Sequence, residues 1–302
     1  MFSTILTEVL YLFIFIGIGF ALAKLKVLPE HTAHVLSRIE VYFCMPALTF
    51  SNFSSHFTVE TLSASWKLIL IGAAATIVLC SVGHLLGHFL AKDRYTQYVA
   101  AYSIAVPNYG YVGYPLVLAI LGSEMLMKYQ IFVLPLNIYI YLYAYGRLQN
   151  RSVRGIKNAL NPAMVALFLG AAFGLTGLKL PDLATRVLSG ASGCLAPLAM
   201  LLTGFTIAGF SLKDMFANKT AYLVVALRMF AIPLLVLAAT RVIPLSREVV
   251  LMLMYLYTMP CGLNPVVFGS AAGLECRLGA STACISNIIA IGAIPLLISL
   301  VV

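Results

Sequence analysis

Ten continuous apolar stretches, each about as long as a bilayer-spanning helix, take up most of this chain. They run roughly 4–25, 32–52, 67–91, 96–121, 125–147, 160–178, 184–210, 220–243, 248–272 and 278–301 of 302 residues. About 20 apolar residues suffice to cross the hydrocarbon core as a helix. The runs do not alternate between polar and apolar positions, so helices rather than barrel strands are expected. Only 10% of the residues are charged and 62% are hydrophobic, against roughly 25% charged in soluble domains. That composition excludes a soluble globule, a nucleic-acid binder and a disordered tail.

The connections are short and leave no room for a separate domain; the longest is expected around Asn52 to Ser65. Asn161-Pro162 reads as a helix start, with Asn capping and Pro in the first turn, where its missing N–H costs nothing. No Lys or Arg precedes the first apolar run and no small-residue cleavage site follows it, so that segment is expected to stay as a span. The six cysteines form no CxxC pair and no Cys/His ligand spacing, so neither a disulfide framework nor a zinc site is expected.

The net charge of +9 is unevenly distributed. Loops after spans 1, 3, 5, 7 and 9 carry Lys24, Lys26, Lys92, Arg94, Arg147, Arg151, Arg154, Lys157, Lys213, Lys219 and Arg277, eleven cations. The other side carries Lys67, Lys128, Lys179, Arg186, Arg241 and Arg247, six, while Arg38 and Arg228 fall inside spans. The positive-inside bias places the eleven in the cytoplasm and both termini outside, in a multi-pass protein of the cell (inner) membrane.

The chain also repeats itself. Pro46 and Pro197 are 151 residues apart, Pro107 and Pro260 are 153, and Gly122 and Glu124 recur 151 residues on as Gly273 and Glu275. The halves are therefore 1–150 and 151–302. Five spans per half is an odd number, so the second half enters the membrane upside down, the inverted-repeat plan of secondary transporters. The fourth and ninth spans hold the most disruptive residues. Span 4 reads Pro107-Asn108-Tyr-Gly110-Tyr-Val-Gly113-Tyr-Pro115, and span 9 reads Pro260-Cys-Gly262-Leu-Asn264-Pro265. Proline removes an N–H and clashes with the carbonyl four residues back. Backbone freed in this way must face protein or a wet cavity, and the half-helix that restarts presents N–H groups suited to an anion. A packing kink is the alternative at one such span; two at matching positions favour a binding site.

Other polar residues stay open at this level. Arg228, deep in span 8, either holds an anion or reaches backbone carbonyls and the interface. Glu40 is either a proton-coupling carboxylate or, beside Arg38, part of a local ion pair at the interface. Asn287 either lines the crossing of the broken helices or bonds between helices. His84 and His88 lie four apart with no carboxylate at ligand spacing, so packing is favoured over a metal site. No Walker motif, HExxH or GxSxG is present, and Asp93, Asp182 and Asp214 all lie in loops. Neither ATP drive nor an intramembrane enzyme is expected, nor any metal or cofactor. H+ or Na+ coupling is left open, and a membrane sensor built on a carrier fold is the remaining alternative.

The span 4 motif Pro-Asn-x-Gly-x-x-Gly-x-Pro, Met-Pro-x-Gly-x-x-Pro in span 9 and Cys-Met-Pro-Ala-Leu-Thr in span 2 resemble the auxin efflux carrier family. Asn161-Pro162 and Ala196-Pro-Leu-Ala-Met are similar too, so the likeness runs over nearly the whole chain, toward short bacterial members that lack the long cytosolic loop. The resemblance implies an all-α membrane protein of ten helices in two inverted five-helix repeats. Spans 1, 2, 6 and 7 would form a scaffold, and spans 3–5 and 8–10 a moving transport unit whose broken helices 4 and 9 cross at mid-membrane. It implies a secondary transporter of small organic anions, auxin-like monocarboxylates or small dicarboxylates such as malate or malonate, working by elevator-type alternating access, as an exporter and as a homodimer through the scaffold helices. By matching position, Asn108 would donate to the substrate carboxylate, Thr49 would face it from the scaffold, and Asn137 and Tyr141 would flank it. Pro107, Gly110, Pro260 and Gly262 would form the crossing, and Asn264, completing it in span 9, would join the substrate-binding residues. Tyr109, Tyr111 and Tyr114 are bulkier than their counterparts in plant relatives, which argues against an indole-sized ligand.

Overall fold

The computed structural model describes residues 2–29, 31–150, 161–270 and 272–301. Arg151, Arg154 and Lys157 of the basic central loop, and the expected boundary between the halves, lie outside the described residues. In chain order the helices are α1 (Phe2–Lys24), α2 (Thr32–Ile39), α3 (Met45–His56), α4 (Val59–Leu90), α5 (Arg94–Ala105), α6 (Tyr114–Phe132), α7 (Leu134–Tyr139) and α8 (Tyr145–Leu148). They continue with α9 (Pro162–Leu175), α10 (Asp182–Gly193), α11 (Leu195–Ala208), α12 (Leu212–Ala217), α13 (Lys219–Ala226), α14 (Ile232–Val242), α15 (Arg247–Tyr257), α16 (Asn264–Ser270) and α17 (Arg277–Ser299). By length and hydropathy, six helices among the described residues can cross a membrane, and no strand accompanies them there.

Helix starts follow local chemistry. Asp93 accepts the Thr96 N–H at 2.9 Å, and Asn161 accepts the Met164 N–H at 3.0 Å with Pro162 opening α9. Both satisfy amide groups that a helix start leaves without partners. One expectation fails between α3 and α4. The loop placed around Asn52 to Ser65 shrinks to Phe57 and Thr58, because Thr58 and Thr61 cap one another reciprocally. The polar residues that depress hydropathy there are helical and partnered: Asn52 donates to Gln130 Oε1 at 3.3 Å, and His56 pairs with Ser123 Oγ at 2.8 Å.

Among the described residues, four π-helical turns widen the helices, at Glu40–Cys44, Tyr109–Gly113, Ile140–Ala144 and Leu227–Ala231. Three of them stand two residues before a proline: Pro46, Pro115 and Pro233. The carbonyl that each ring would strike, four residues back, belongs to Tyr42, Tyr111 or Met229, inside the wide turn. The extra residue carries that carbonyl out of the ring's way. The helix thus continues through a proline without a sharp break.

The offset of 151 residues reappears as geometry. A Cβ on Gly19 of α1 would stand 2.3 Å from the Leu201 carbonyl oxygen of α11. A Cβ on Gly170 of α9 would stand 2.9 Å from the Phe50 carbonyl oxygen of α3. Gly170 is Gly19 shifted by 151, and Leu201 is Phe50 shifted by 151. The two contacts therefore exchange under the shift, as the contacts of a two-fold axis do. Small residues let these backbones approach where lipid offers no hydrophobic drive to pack helices.

Gly122 and Gly273, the other repeat pair, both have positive φ, 84° and 72°. At Gly122 (ψ 175°) the backbone turns within α6, dividing it into two helical pieces. Neither glycine has an atom within 4 Å of a would-be Cβ, so the constraint is conformational alone. Gly122→Ala and Gly273→Ala should each destabilise the protein by about 1–2 kcal/mol, read as a lower unfolding midpoint in detergent.

Candidate functional site

After α5 the chain leaves the helix at Val106, and Asn108 holds φ −80° and ψ 55° before the Tyr109–Gly113 turn restarts it. Past α15 it is again irregular until α16. These two interruptions meet. Pro107 and Cys261 pair as an antiparallel bridge, and the Asn108 N–H donates to the Pro260 carbonyl at 2.8 Å. The Cys261 N–H donates to Ser286 Oγ of α17 at 3.0 Å. Backbone that could not survive in lipid is thus satisfied by its counterpart and one hydroxyl. The Asn108 carbonyl accepts from Val112 and Gly113. The first N–H groups of the restarted helix have no partner within that helix.

Beside this meeting point lies a cavity of about 90 Å³, room for about three waters at roughly 30 Å³ each or for one small anion. Asn108, Thr49, Asn137, Tyr141 and Asn264 all line it, with Pro107, Gly110 and Gly262. Pro260 contributes through its carbonyl. Among the described residues, no lining side chain is charged. Met45, Tyr109, Tyr111, Tyr114, Gln130, Asn161 and Met164 also line the cavity, among apolar residues that include Val41.

The polar groups differ in what they have left to offer. Asn137 accepts from the Tyr109 hydroxyl through Oδ1, and its amide donates to the Val133 carbonyl at 3.5 Å. The Asn264 amide donates to the Tyr102 hydroxyl at 2.6 Å. Gln130 donates to Thr49 Oγ1 at 3.3 Å while accepting from Asn52. Asn108 is the exception: it is 4% exposed, and its Nδ2 has no hydrogen-bond partner. Tyr109, Tyr114 and Tyr129 stack edge to face at 5.8 and 6.1 Å, making a rigid aromatic wall.

Three further residues lie outside the cavity lining. Arg228 is fully buried in the Leu227–Ala231 turn and donates from Nη2 to the Leu256 carbonyl at 3.0 Å and from Nε to the Met259 carbonyl at 3.3 Å. Of its two readings, the structure places it on backbone carbonyls. Leu256 is four residues before Pro260, which has no N–H to give it. Arg228 supplies the missing donor and sets a positive charge at the carboxyl end of α15, where the helix dipole is negative. The Asn287 amide donates to the Ala283 carbonyl of its own helix at 2.7 Å. The residue beside it, Ser286, is the one that touches the break. Glu40 is not ion-paired with Arg38: it is fully buried, whereas Arg38 is exposed, bonded to His34 and set over the Tyr42 ring.

Sequence reasoning did not select Gln130, Met45 or Ser286. Gln130 carried a weak signal, an amide within an apolar run. Met45 stood inside the span 2 motif without being singled out, and Ser286 carried no signal, since serine is not unusual in a membrane helix.

Comparison with known proteins agrees with this architecture. The model of the family described as membrane transport protein matches residues 4–155 and again 149–298, so each half matches by itself. A protein of Methanothermobacter thermautotrophicus described as an uncharacterized transporter is 26% identical over 297 residues, covering 95% of each chain.

Proposed function

This chain belongs to the membrane transport protein family, whose auxin efflux carriers its motifs resemble, and from that premise we propose that it is a secondary transporter of small organic anions. The observation that carries the reading is the unpartnered amide of Asn108, buried in the cavity at the start of a half-helix. An anion seated there would take that amide together with the first free N–H groups of the restarted helix. Neutral donors suit a carrier, because a fully paired buried charge would hold its ligand too tightly to release it. The cavity's volume and its tyrosine wall favour malonate- or malate-sized carboxylates over an indole acid.

On this reading the chain forms ten spans in two inverted repeats, with broken spans 4 and 9 crossing; the paired backbone at Pro107 and Cys261 supports it. The unit carrying the breaks moves against a scaffold of spans 1, 2, 6 and 7, through which two copies associate. Both termini lie outside. A bare anion leaving the cell gains about 2.3 kcal/mol per charge for every 100 mV of inside-negative potential, which favours export where voltage alone drives it.

Labelled malonate, malate and indole-3-acetate should be compared for flux into proteoliposomes, with the two small acids carried preferentially. Folded protein that moves none of a broad carboxylate panel would overturn the reading. Asn108→Ala removes one hydrogen bond to a charged ligand, about 1.5–3 kcal/mol. Its affinity should therefore fall about 10- to 100-fold, with the unfolding midpoint unchanged. Equal affinity in the variant would remove the site while leaving the family intact.

A further inference from the structure

Glu40 stands about eight residues into the helix that begins at Thr32, roughly 12 Å from its start. Its side chain has no exposed surface, and neither carboxyl oxygen has a hydrogen-bond partner. The elements packed against its turn bring no cation to it. On α2, His34 and Arg38 are exposed and bonded to each other. On α3 the titratable group is His56, at the far end and paired with Ser123. Asp182 and Arg186 of α10 are exposed, and α9 and α11 carry no ionisable side chain. The titratable groups that face Glu40 are the Tyr111 hydroxyl and the thiol of Cys44. An ionised carboxylate with no cation beside it is very costly in such a place.

Position gives a proton there a use. Tyr111 faces Glu40 and also lines the anion cavity, and so do the neighbours of Glu40 on its own helix, Val41 and Met45. One tyrosine therefore separates the carboxyl group from the space where an anion would sit. We propose that Glu40 is a proton-binding site coupled to the anion cavity, so that one proton accompanies each anion across the membrane. The coupling follows from charge: ionised Glu40 repels an anion through a low-dielectric wall, neutral Glu40 does not, and linkage makes the effect reciprocal. Proton uptake at the carboxylate forms one O–H bond and breaks one in the donating water, with no redox change. The loaded form then carries no net charge for a monoanion, and the pH gradient replaces the potential as its driving force. This inference rests on the carrier reading.

The test is infrared difference spectroscopy on the full chain in lipid nanodiscs, with malonate as the probe. The wild type should show a carboxylic-acid C=O band at neutral pH that Glu40→Gln lacks and Glu40→Asp shifts. Once alkaline pH has removed the band, malonate should restore it. Malonate affinity should fall up to about tenfold per pH unit above that titration. A wild-type spectrum without the band overturns the proposal, and that measurement needs no variant to fold. Malonate that stabilises the protein against heat yet leaves the band unaltered overturns the coupling while the carrier reading stands. If malonate neither binds nor is transported, the carrier reading fails for that anion, and the band alone decides the proton site.

Discussion

Arg228→Met is expected to destabilise the protein by about 3 kcal/mol, although it removes a buried charge. Burying a guanidinium is expensive in itself, and exchanging a buried ion for an apolar residue of similar size is often neutral. Here the partners are not another ion that could leave with it. They are the carbonyls of Leu256 and Met259, which stay behind. Leu256 receives no N–H from the residue four places on, which is Pro260. Each buried acceptor left unsatisfied costs about 1–3 kcal/mol, and two such carbonyls outweigh the relief of one desolvated charge. Arg228→Lys should fall between, since one ammonium reaches fewer acceptors than the guanidinium fork. Reversible unfolding in mixed micelles would measure both. A methionine variant as stable as wild type would show that the carbonyls find water, and that the break is wetter than this packing implies.

The second large effect comes from two glycines two residues apart on α1. Gly19→Ala should cost about 2–3 kcal/mol, because its Cβ would fall 2.3 Å from a backbone oxygen of α11. Backbone cannot swing away as a side-chain end can, which places the cost at the upper end of the overpacking range. Gly17→Ala should be neutral or stabilising by up to about 1 kcal/mol, since nothing lies within 4 Å of that Cβ and alanine favours the helix. The pair shares one helix and one chemistry, so a difference between them measures the α1–α11 approach alone. Equal effects would mean that the two helices do not touch as described.

These residues show where sequence reasoning stopped. Prolines and glycines at 107, 110, 260 and 262 were legible because they break local rules that every helix obeys. The matching offset of Gly122 and Gly273 was legible for the same reason, and it proved to mark a positive φ at both. Gly19 and Gly170 carry the same symmetry, yet they are silent in the sequence. A glycine required by a neighbour's carbonyl looks like one that is merely tolerated. Hydropathy misplaced the loop at Asn52 to Ser65 because it reads polarity as exposure, while Asn52 and His56 are polar and partnered inside the protein. Glu40 was ambiguous for a related cause. Whether Arg38 could reach it depended on a wide turn that sets the two residues in different surroundings, and a linear pattern carries no mark of that turn.

The two halves exchange their helix contacts, but they do not exchange their charges. The stretch of the first half that corresponds to Arg228, around Thr76, holds no cation. Halves with identical interactions would give a carrier two end states of equal energy, each the mirror of the other in the membrane. A guanidinium fastened to one break alone removes that degeneracy, and every 1.4 kcal/mol of difference tilts the populations tenfold. If the chain alternates as proposed, such a carrier has a home side: left without substrate, it waits facing one compartment.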